Sequence, residues 1–440
     1  MDNKGQKLKK YLLLCLQSII LGCLIGAIVG LYQLGIQFIS KQSSFMYEAR
    51  TPLIVVLMVF IVIILAFGND MIIRLAPGVD GSGIPNMELG IRHKKKIDWK
   101  KESVLMIVNS YISTFIGFPL GSEGPSVVIG GKLAKMSNDI TNFDNDDTIA
   151  MACGTGFGCA FLSPLAGLCY IFEESLHKFN FQLIFRALLM IISAVFTTSL
   201  INHHHLLSVA QAVYPMFKDY YIFAILIIFN VALGISFVKL IIFLKRIFSK
   251  YKDKLLVKYR GFILFAVVFI LNYILLEYMG SGSKLISGIV SKDSILLVLG
   301  ILALRFVVTT FSGSGKVTGG LVVPMMALGA LTGQIACLVC NKLFGFDIQY
   351  FDVIILVSMC MLFGIITKTP ITSIVLIFSA IGASTGDYLH ALIIIPISAV
   401  SIFLAVYISK WLRVDCLYEQ MMEVTLESEK KLINERIEQK

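Results

Sequence analysis

The sequence predicts an all-α polytopic membrane protein built from an inverted-topology repeat with many tilted and broken helices. Three observations support this fold class. Of the 440 residues, 57% are hydrophobic and only 15% are charged, whereas soluble domains carry about 25% charged residues. Long apolar runs alternate with shorter ones that Gly and Pro interrupt, and two interrupted motifs occur twice in the same order. The composition alone indicates an integral membrane protein surrounded by lipid.

Six apolar runs have about the 20 residues needed to span the hydrocarbon core of a bilayer. They lie near 11–40, 52–75, 182–201, 218–246, 258–279 and 388–410. The first run follows a Lys-rich segment, but it is longer than the core of a signal peptide. We therefore predict that all six are ordinary spanning helices.

Eight shorter apolar segments are bounded by Gly or Pro and are predicted to be half-helices. They lie near 103–120, 125–136, 149–161, 164–176, 295–310, 321–341, 351–366 and 370–382. Broken helices at membrane depth are tolerated only where their ends are buried in protein or line a wet cavity. These segments therefore indicate the position of a transport site.

Two motifs recur about 200 residues apart, which is typical of inverted-repeat transporters. Segments 121–130 and 320–329 share the pattern G-x-x-x-P-x-x-x-x-G, and segment 158–172 matches segment 364–378. We predict four parts of the chain, namely a cytoplasmic segment at 1–10, a first membrane repeat at 11–205, a second at 206–414, and a short charged cytoplasmic tail at 415–440.

The net charge of +10 is concentrated in the runs 4–10, 92–101 and 245–260. Basic loops remain cytoplasmic. The runs flank apolar segments and lack interleaved aromatic residues, so nucleic-acid binding is not expected. The nine cysteines show no spacing of a disulfide framework or a zinc site, and the histidines at 203–205 are more typical of a polar loop than of a metal site.

Three Gly- and Pro-containing motifs, at 81–85, 121–125 and 320–324, are suited to opening a helix inside the membrane. The first N–H groups of a helix lack internal partners and carry about half a positive charge, so an anion is their natural ligand. Each motif alone is as typical of a turn or of close helix packing. The three together favour an anion site, and the absence of Lys or Arg within them suits rapid release of the ion.

Glu123 is an acid in an apolar, glycine-flanked loop, where an ionised carboxylate costs several kcal/mol unless something binds it. The simpler alternative is a helix N-terminal cap. We favour a gate that occupies the anion site when ionised and swings out when protonated, so that anion and proton compete. For Glu173 and Glu174, spacing alone favours a solvated pair at the membrane interface over a proton entry point.

These motifs resemble those of the CLC family of chloride channels and proton/chloride exchangers of the prokaryotic type without CBS domains. GSGIP at 81–85 matches the family's first ion-binding motif. GSEGP at 121–125 resembles the second, with Ser122 where Arg or Lys is usual. GGLVVP at 319–324 resembles the third, with Val322 where Phe is common. The change at Ser122 leaves open a weaker outer attraction for anions or a different response to pH.

The resemblance extends over almost the whole chain and includes segment 164–174 and the pair at 417–418. It implies that the hydroxyls of Ser82 and Tyr418 and the N–H groups of Leu321 and Val322 bind the central ion. The complete implied anion site comprises Gly81, Ser82, Gly83, Gly124, Leu321, Val322, Val323 and Tyr418. The resemblance also implies that Glu123 is the outer gating glutamate and Glu174 the inner proton glutamate.

Having both glutamates favours proton-coupled H+/Cl− exchange, and the alternative is a passive voltage- or pH-gated chloride channel of the same fold. Ser82 favours chloride over fluoride or nitrate. The family further implies a homodimer in the plasma membrane with one pathway per subunit, both termini cytoplasmic, and no cofactor. An enzyme is not expected, because no nucleophile with a nearby base lies in the apolar segments.

Overall fold

In a computed structural model, the protein is described at residues 3–93, 95–141, 146–176, 180–203, 207, 212–251, 254–288 and 294–438. Nearly all of these residues are helical, and this part of the chain contains no β-strand beyond two isolated β-bridges. The predicted boundary between residues 205 and 206 lies outside the described residues, as do His204 and His205.

Nineteen α-helices occur in the described residues. The first half contains α1 Asn3–Glu48, α2 Pro52–Leu75, α3 Ile84–His93, α4 Trp99–Ile116, α5 Glu123–Thr141, α6 Asp146–Phe161, α7 Pro164–Tyr170 and α8 Phe181–Ile201. The second half contains α9 Tyr221–Lys250, α10 Leu255–Lys258, α11 Arg260–Leu275, α12 Ser283–Gly288, α13 Ile295–Gly313, α14 Val322–Phe344, α15 Phe351–Thr367, α16 Pro370–Thr385, α17 Tyr388–Ala391, α18 Ile395–Trp411 and α19 Leu417–Glu438.

Among the described residues, eight helices are long and apolar enough to cross a membrane, namely α1, α2, α8, α9, α11, α13, α14 and α15. The prediction of half-helices at 295–310, 321–341 and 351–366 is therefore wrong. In α14, Gly329 and Gly333 do not interrupt the helix. A Cβ atom on Gly333 would lie 2.8 Å from the Ser358 Cβ, so this glycine permits close packing against α15.

The prediction of one ordinary span at 388–410 is also wrong. The helix α17 ends at Ala391, and α18 begins at Ile395 and has 17 residues. Pro396 lies in the first turn of α18. Proline lacks the N–H that a continuing helix needs but suits a first turn, so the chain breaks before it.

The core of the protein includes α14 and α15, together with α5 and α6 of the first half. In each of α14 and α15, 94% of the most apolar stretch is buried, compared with 22% in α2 and 17% in α11. A helix that is apolar on all sides is buried in protein or faces lipid. The two central helices thus pack within the protein, while α2 and α11 present apolar side chains outward.

Matching glycines of the two repeats pack in matching ways. A Cβ on Gly130 of α5 would lie 2.2 Å from the Ala152 carbonyl oxygen of α6. A Cβ on Gly329 of α14 would lie 2.8 Å from the Met359 Cα of α15. Both distances are too short for a side chain, so the glycines let α5 and α6, and likewise α14 and α15, approach closely.

The C-terminal segment from Asp415 was predicted only to be short and charged. It contains the helix α19, which packs against α9 and α3. Arg92 of α3 forms an ion pair of 2.8 Å with Glu419, and Lys95 forms another with Glu429. These contacts hold the start of α19, and with it Tyr418, against the first repeat.

Candidate anion pathway

The three Gly- and Pro-containing motifs contact one another through backbone hydrogen bonds. The Gly81 N–H donates to the Val317 carbonyl (3.0 Å), and the Gly319 N–H donates to the Gly81 carbonyl (2.9 Å). Gly121 and Gly320 donate to each other, at 2.7 Å and 2.6 Å. The N-termini of α3, α5 and α14 therefore lie next to one another, as expected if the three motifs form one site.

Glycine is required at this junction for two different reasons. A Cβ on Gly124 would lie 2.8 Å from the Gly320 Cα and 3.1 Å from the Ser82 Cβ, so no side chain fits between the motifs. Gly81 and Gly83 have φ angles of +69° and +72°, which other L-residues rarely adopt. The junction would be displaced by larger residues.

Two buried hydroxyl groups at the junction have protons to donate. The Ser82 hydroxyl accepts from the Ile84 N–H at 3.4 Å, which leaves its own proton available. The Tyr418 hydroxyl is buried and has no hydrogen-bond partner within the described part of the chain. Buried donors without acceptors are costly, and an anion would satisfy both. The first N–H groups of α14, at Val322 and Val323, lack intrahelical partners for the same reason as in any helix.

Glu123 is the first residue of α5 and is 1% exposed. Its Oε1 accepts a hydrogen bond from the Ser122 hydroxyl at 3.2 Å. A Cβ atom on Gly121 would lie 2.0 Å from the Glu123 Oε2. The Val323 backbone N–H faces the carboxylate. The side chain thus lies between the N-termini of α5 and α14.

The expectation from spacing that Glu173 and Glu174 form a solvated pair is wrong. The Glu173 carboxylate accepts from the N–H groups of Ile371 (2.8 Å) and Thr372 (2.7 Å), and so caps α16. Glu174 is 5% exposed, and the Cys416 thiol donates to its Oε1 at 3.6 Å. The reason is packing: the first repeat places these acids against α16 and the start of α19 rather than against water.

A cavity of about 10 Å³ lies beside Glu174, which is enough for one water molecule. It is lined by Ile84, Met87, Glu88, Ile91, Arg92, Val127, Cys153, Tyr170, Glu174 and Ser175. Val127 is one helical turn beyond Glu123 on α5. The cavity thus contacts both Glu174 and α5, one helical turn from Glu123.

Glu88 of α3 is a buried acid that the sequence interpretation missed. Its carboxylate interacts with the Glu174 carboxylate and with the Arg92 cation. Burial raises the pKa of Glu88 to about 7, and the Arg92 cation opposes this shift. The sequence offers one indication of this residue, which is an acid three residues after the Pro85 of GSGIP.

Gln33 of α1 was also missed, although a polar residue inside an apolar run is a recognised sign of an intramembrane site. Its side chain is buried and contacts Ser122, the residue that precedes Glu123. The contact joins residues 89 positions apart, and no local pattern indicates it.

An inverted repeat of membrane helices, with helix N-termini converging beside buried hydroxyls that have a proton to donate, defines a membrane transport protein for anions. The sequence profile described as "Voltage gated chloride channel" matches residues 66–406. The chain therefore belongs to the voltage-gated chloride channel family, as the resemblance implied.

Curated relatives match over most of the chain. The "H(+)/Cl(-) exchange transporter ClcA" of Vibrio parahaemolyticus serotype O3:K6 is 28% identical over 433 residues, covering 94% of this chain and 90% of the relative. The protein of the same name from Yersinia pseudotuberculosis serotype IB is 24% identical, covering 82% and 79%.

Solved structures share the fold. A "slow cyanobacterial Cl-/H+ antiporter" superposes with a TM-score of 0.82 at 20% identity, covering 93% of this chain and 98% of the other. A "CLC-type fluoride/proton antiporter" gives 0.74 at 22% identity, covering 92% and 97%. A "eukaryotic CLC transporter" gives 0.76 at 17% identity, covering 93% and 74%. At these identities the likeness concerns the fold.

Proposed function

We propose that this protein exchanges protons for chloride across the membrane. The observation that carries the proposal is the burial of Glu174 beside a small cavity that also contacts Val127 of α5, one helical turn from Glu123. A passive channel has no need of a buried acid at such a position. The exchange activity for which the relatives are named supports the same choice.

In this proposal, chloride binds where the three motifs meet. The hydroxyls of Ser82 and Tyr418 donate to it, and the N–H groups of Leu321, Val322 and Val323 complete its shell. Gly81, Gly83 and Gly124 allow the backbone to approach the ion. No full positive charge holds the ion, so it leaves readily.

The proton moves between Glu174 and Glu123 in this proposal. Glu123 competes with chloride when ionised and leaves the site when protonated. Tyr418 is within electrostatic range of both acids, which supports a position near both the anion site and the proton path. The water-sized cavity at Glu174 provides the inner part of the proton path.

The proposed setting is a homodimer in the plasma membrane, with one pathway in each subunit. The basic segments 92–101 and 245–260 support a cytoplasmic position for both termini, because basic loops are retained on that side. The proposed repeats are 11–205 and 206–414. Subunit counting by stepwise photobleaching in lipid tests the dimer, and single steps throughout would contradict it.

The test of exchange compares Glu123→Gln, Glu174→Gln and the control Glu427→Gln, which changes an exposed acid of α19, after reconstitution in liposomes. We expect Glu123→Gln to conduct chloride without moving protons, and Glu174→Gln to retain chloride flux with little proton flux. Glu427→Gln should match the unaltered protein. Proton transport retained by Glu123→Gln would contradict the assignment of the gate.

A further inference from the structure

We propose that Gln33 is a positioning residue that sets the pH at which Glu123 leaves the anion pathway, acting through the hydroxyl of Ser122. The inference rests on the proposed function, in which Glu123 is the gate. Gln33 lies on α1 and its side chain is buried. It contacts Ser122, which immediately precedes α5, and Ser126, which lies in the first turn of α5.

The orientation of the Gln33 amide follows from the hydrogen bonds of Ser126. The Ser126 hydroxyl donates its single proton to the Ser122 carbonyl at 2.9 Å. Towards Gln33, at 3.2 Å, the Ser126 oxygen can therefore only accept. The Gln33 atom facing it must be the amide nitrogen, and so the amide oxygen faces Ser122 at 3.1 Å.

Ser122 has one hydroxyl proton and two neighbouring acceptors. Its Oγ lies 3.1 Å from the Gln33 Oε1 and 3.2 Å from the Glu123 Oε1. A hydroxyl donates to one acceptor at a time. The protonation state of Glu123 decides which acceptor receives the proton.

When Glu123 is ionised, Ser122 donates to the carboxylate, and the buried Gln33 oxygen loses its donor. When Glu123 has taken a proton from water, its O–H donates to Ser122, and Ser122 donates to Gln33. Every donor in this second chain has an acceptor. A buried acceptor left without a donor is costly, so Gln33 favours the protonated gate.

Other titratable groups do not compete for this role. Among the described residues, the titratable groups that interact with Glu123 from neighbouring helices are the phenols of Tyr32 on α1 and Tyr418 on α19. Ordinary phenols titrate near pH 10, outside the range in which the exchanger is tested. The Gln33 amide has no charge at any pH, so it acts only through hydrogen bonds.

The test measures chloride flux in liposomes from pH 4 to pH 8 for Gln33→Met, which keeps the length of the side chain but removes the amide. We expect the midpoint of activation to move towards acid by about one pH unit. The matched control is Gln37→Met, one turn further along α1, where the side chain bonds Asn202 at 3.3 Å and not the gate. A Gln33→Met midpoint equal to that of Gln37→Met would overturn the inference.

A second variant protein distinguishes a positioning role of Gln33 from a general structural effect of its substitution. In a Ser122→Ala protein, adding Gln33→Met should move the midpoint no further, because the relay is already broken; a further acid shift would overturn the inference. If Gln33→Met does not assemble, Ser126→Ala replaces it, since it removes the partner of the amide nitrogen. An acid shift supports the inference, and an unchanged midpoint overturns it.

The Glu123→Gln variant distinguishes a failure of the proposed function from a failure of the role of Gln33. If its flux still rises with acid as in the unaltered protein, the proposed function fails, because Glu123 is not the gate. If Glu123→Gln loses that response while Gln33→Met keeps the original midpoint, only the role of Gln33 fails.

Discussion

Gly121 and Gly320 donate hydrogen bonds to each other, at 2.7 Å and 2.6 Å, and so join the second and third motifs directly. The two residues occupy the same position in the repeated pattern G-x-x-x-P-x-x-x-x-G. The pair therefore links equivalent points of the two repeats. It fixes the separation of the helix N-termini between which Glu123 lies.

Substitution of Gly121 by Ala should open the pathway. The new Cβ would lie 2.0 Å from the Glu123 Oε2, so the carboxylate must leave its present position. We expect chloride flux at neutral pH to rise to the level that the unaltered protein reaches at acid pH, with weaker proton coupling. The measurement is chloride and proton flux in liposomes as a function of pH.

The control for this prediction is Gly300→Ala on α13. No heavy atom would lie within 4 Å of the added Cβ, so flux and coupling should remain those of the unaltered protein. A Gly121→Ala protein with an unchanged pH profile would show that the carboxylate does not rest against Gly121.

The buried ion pair of Lys132 and Glu102 should contribute strongly to stability. The Lys132 Nζ lies 3.1 Å from the Glu102 Oε2, and the lysine side chain is 2% exposed. Glu102→Gln leaves a buried cation without its partner, which costs about 3–5 kcal/mol. We expect a large fall in the melting temperature of the detergent-solubilised protein.

The double variant Lys132→Met with Glu102→Gln should recover much of the loss, because it leaves no unpaired charge. Lys135→Met is the control on the same helix. It removes an exposed pair with Asp139 at 2.9 Å, which is worth less than about 1 kcal/mol. Equal losses from Glu102→Gln and Lys135→Met would refute the prediction.

Glu88 should make the stability of the protein depend on pH. Its pKa is raised from 4.5 to about 7, so folding takes up a proton between these values, and the stability contributed by this group falls as pH rises through that window. Glu88→Gln is neutral throughout. Relative to the unaltered protein, it should gain up to ~3 kcal/mol between pH 4.5 and pH 7.

The measurement is the difference in melting temperature between Glu88→Gln and the unaltered protein across that range. Taking the difference removes the contributions of groups that do not interact with Glu88. Glu174 does interact with it, so the pH dependence belongs to the pair of acids. Glu427→Gln, at an exposed position on α19, should show a constant difference. A constant difference for Glu88→Gln as well would mean that Glu88 is ionised in the folded protein.

The role of the three motifs was predictable because each is short and its conformation depends on neighbouring residues in the sequence. Glycines and a proline at 81–85, 121–125 and 320–324 indicate helix starts, and helix starts bind anions. The structure confirms that these starts contact one another. The identity of each helix as a full span or a half-helix was less predictable, because a glycine that permits packing looks like one that ends a helix.

The environment of the acids could not be predicted, because it is built from distant parts of the chain. Glu174 is buried against Cys416, 242 residues away, and Ser122 contacts Gln33 across 89 residues. Spacing alone placed Glu173 and Glu174 in water, whereas Glu173 caps a helix of the other repeat. Only the folded arrangement reveals such partners.

Coupling between the two ions is tested most directly with the unaltered protein in liposomes under an imposed chloride gradient, while proton movement is recorded. We expect protons to move against their own gradient, driven by chloride. Chloride flux without any proton movement would contradict exchange and indicate a passive channel of the same fold.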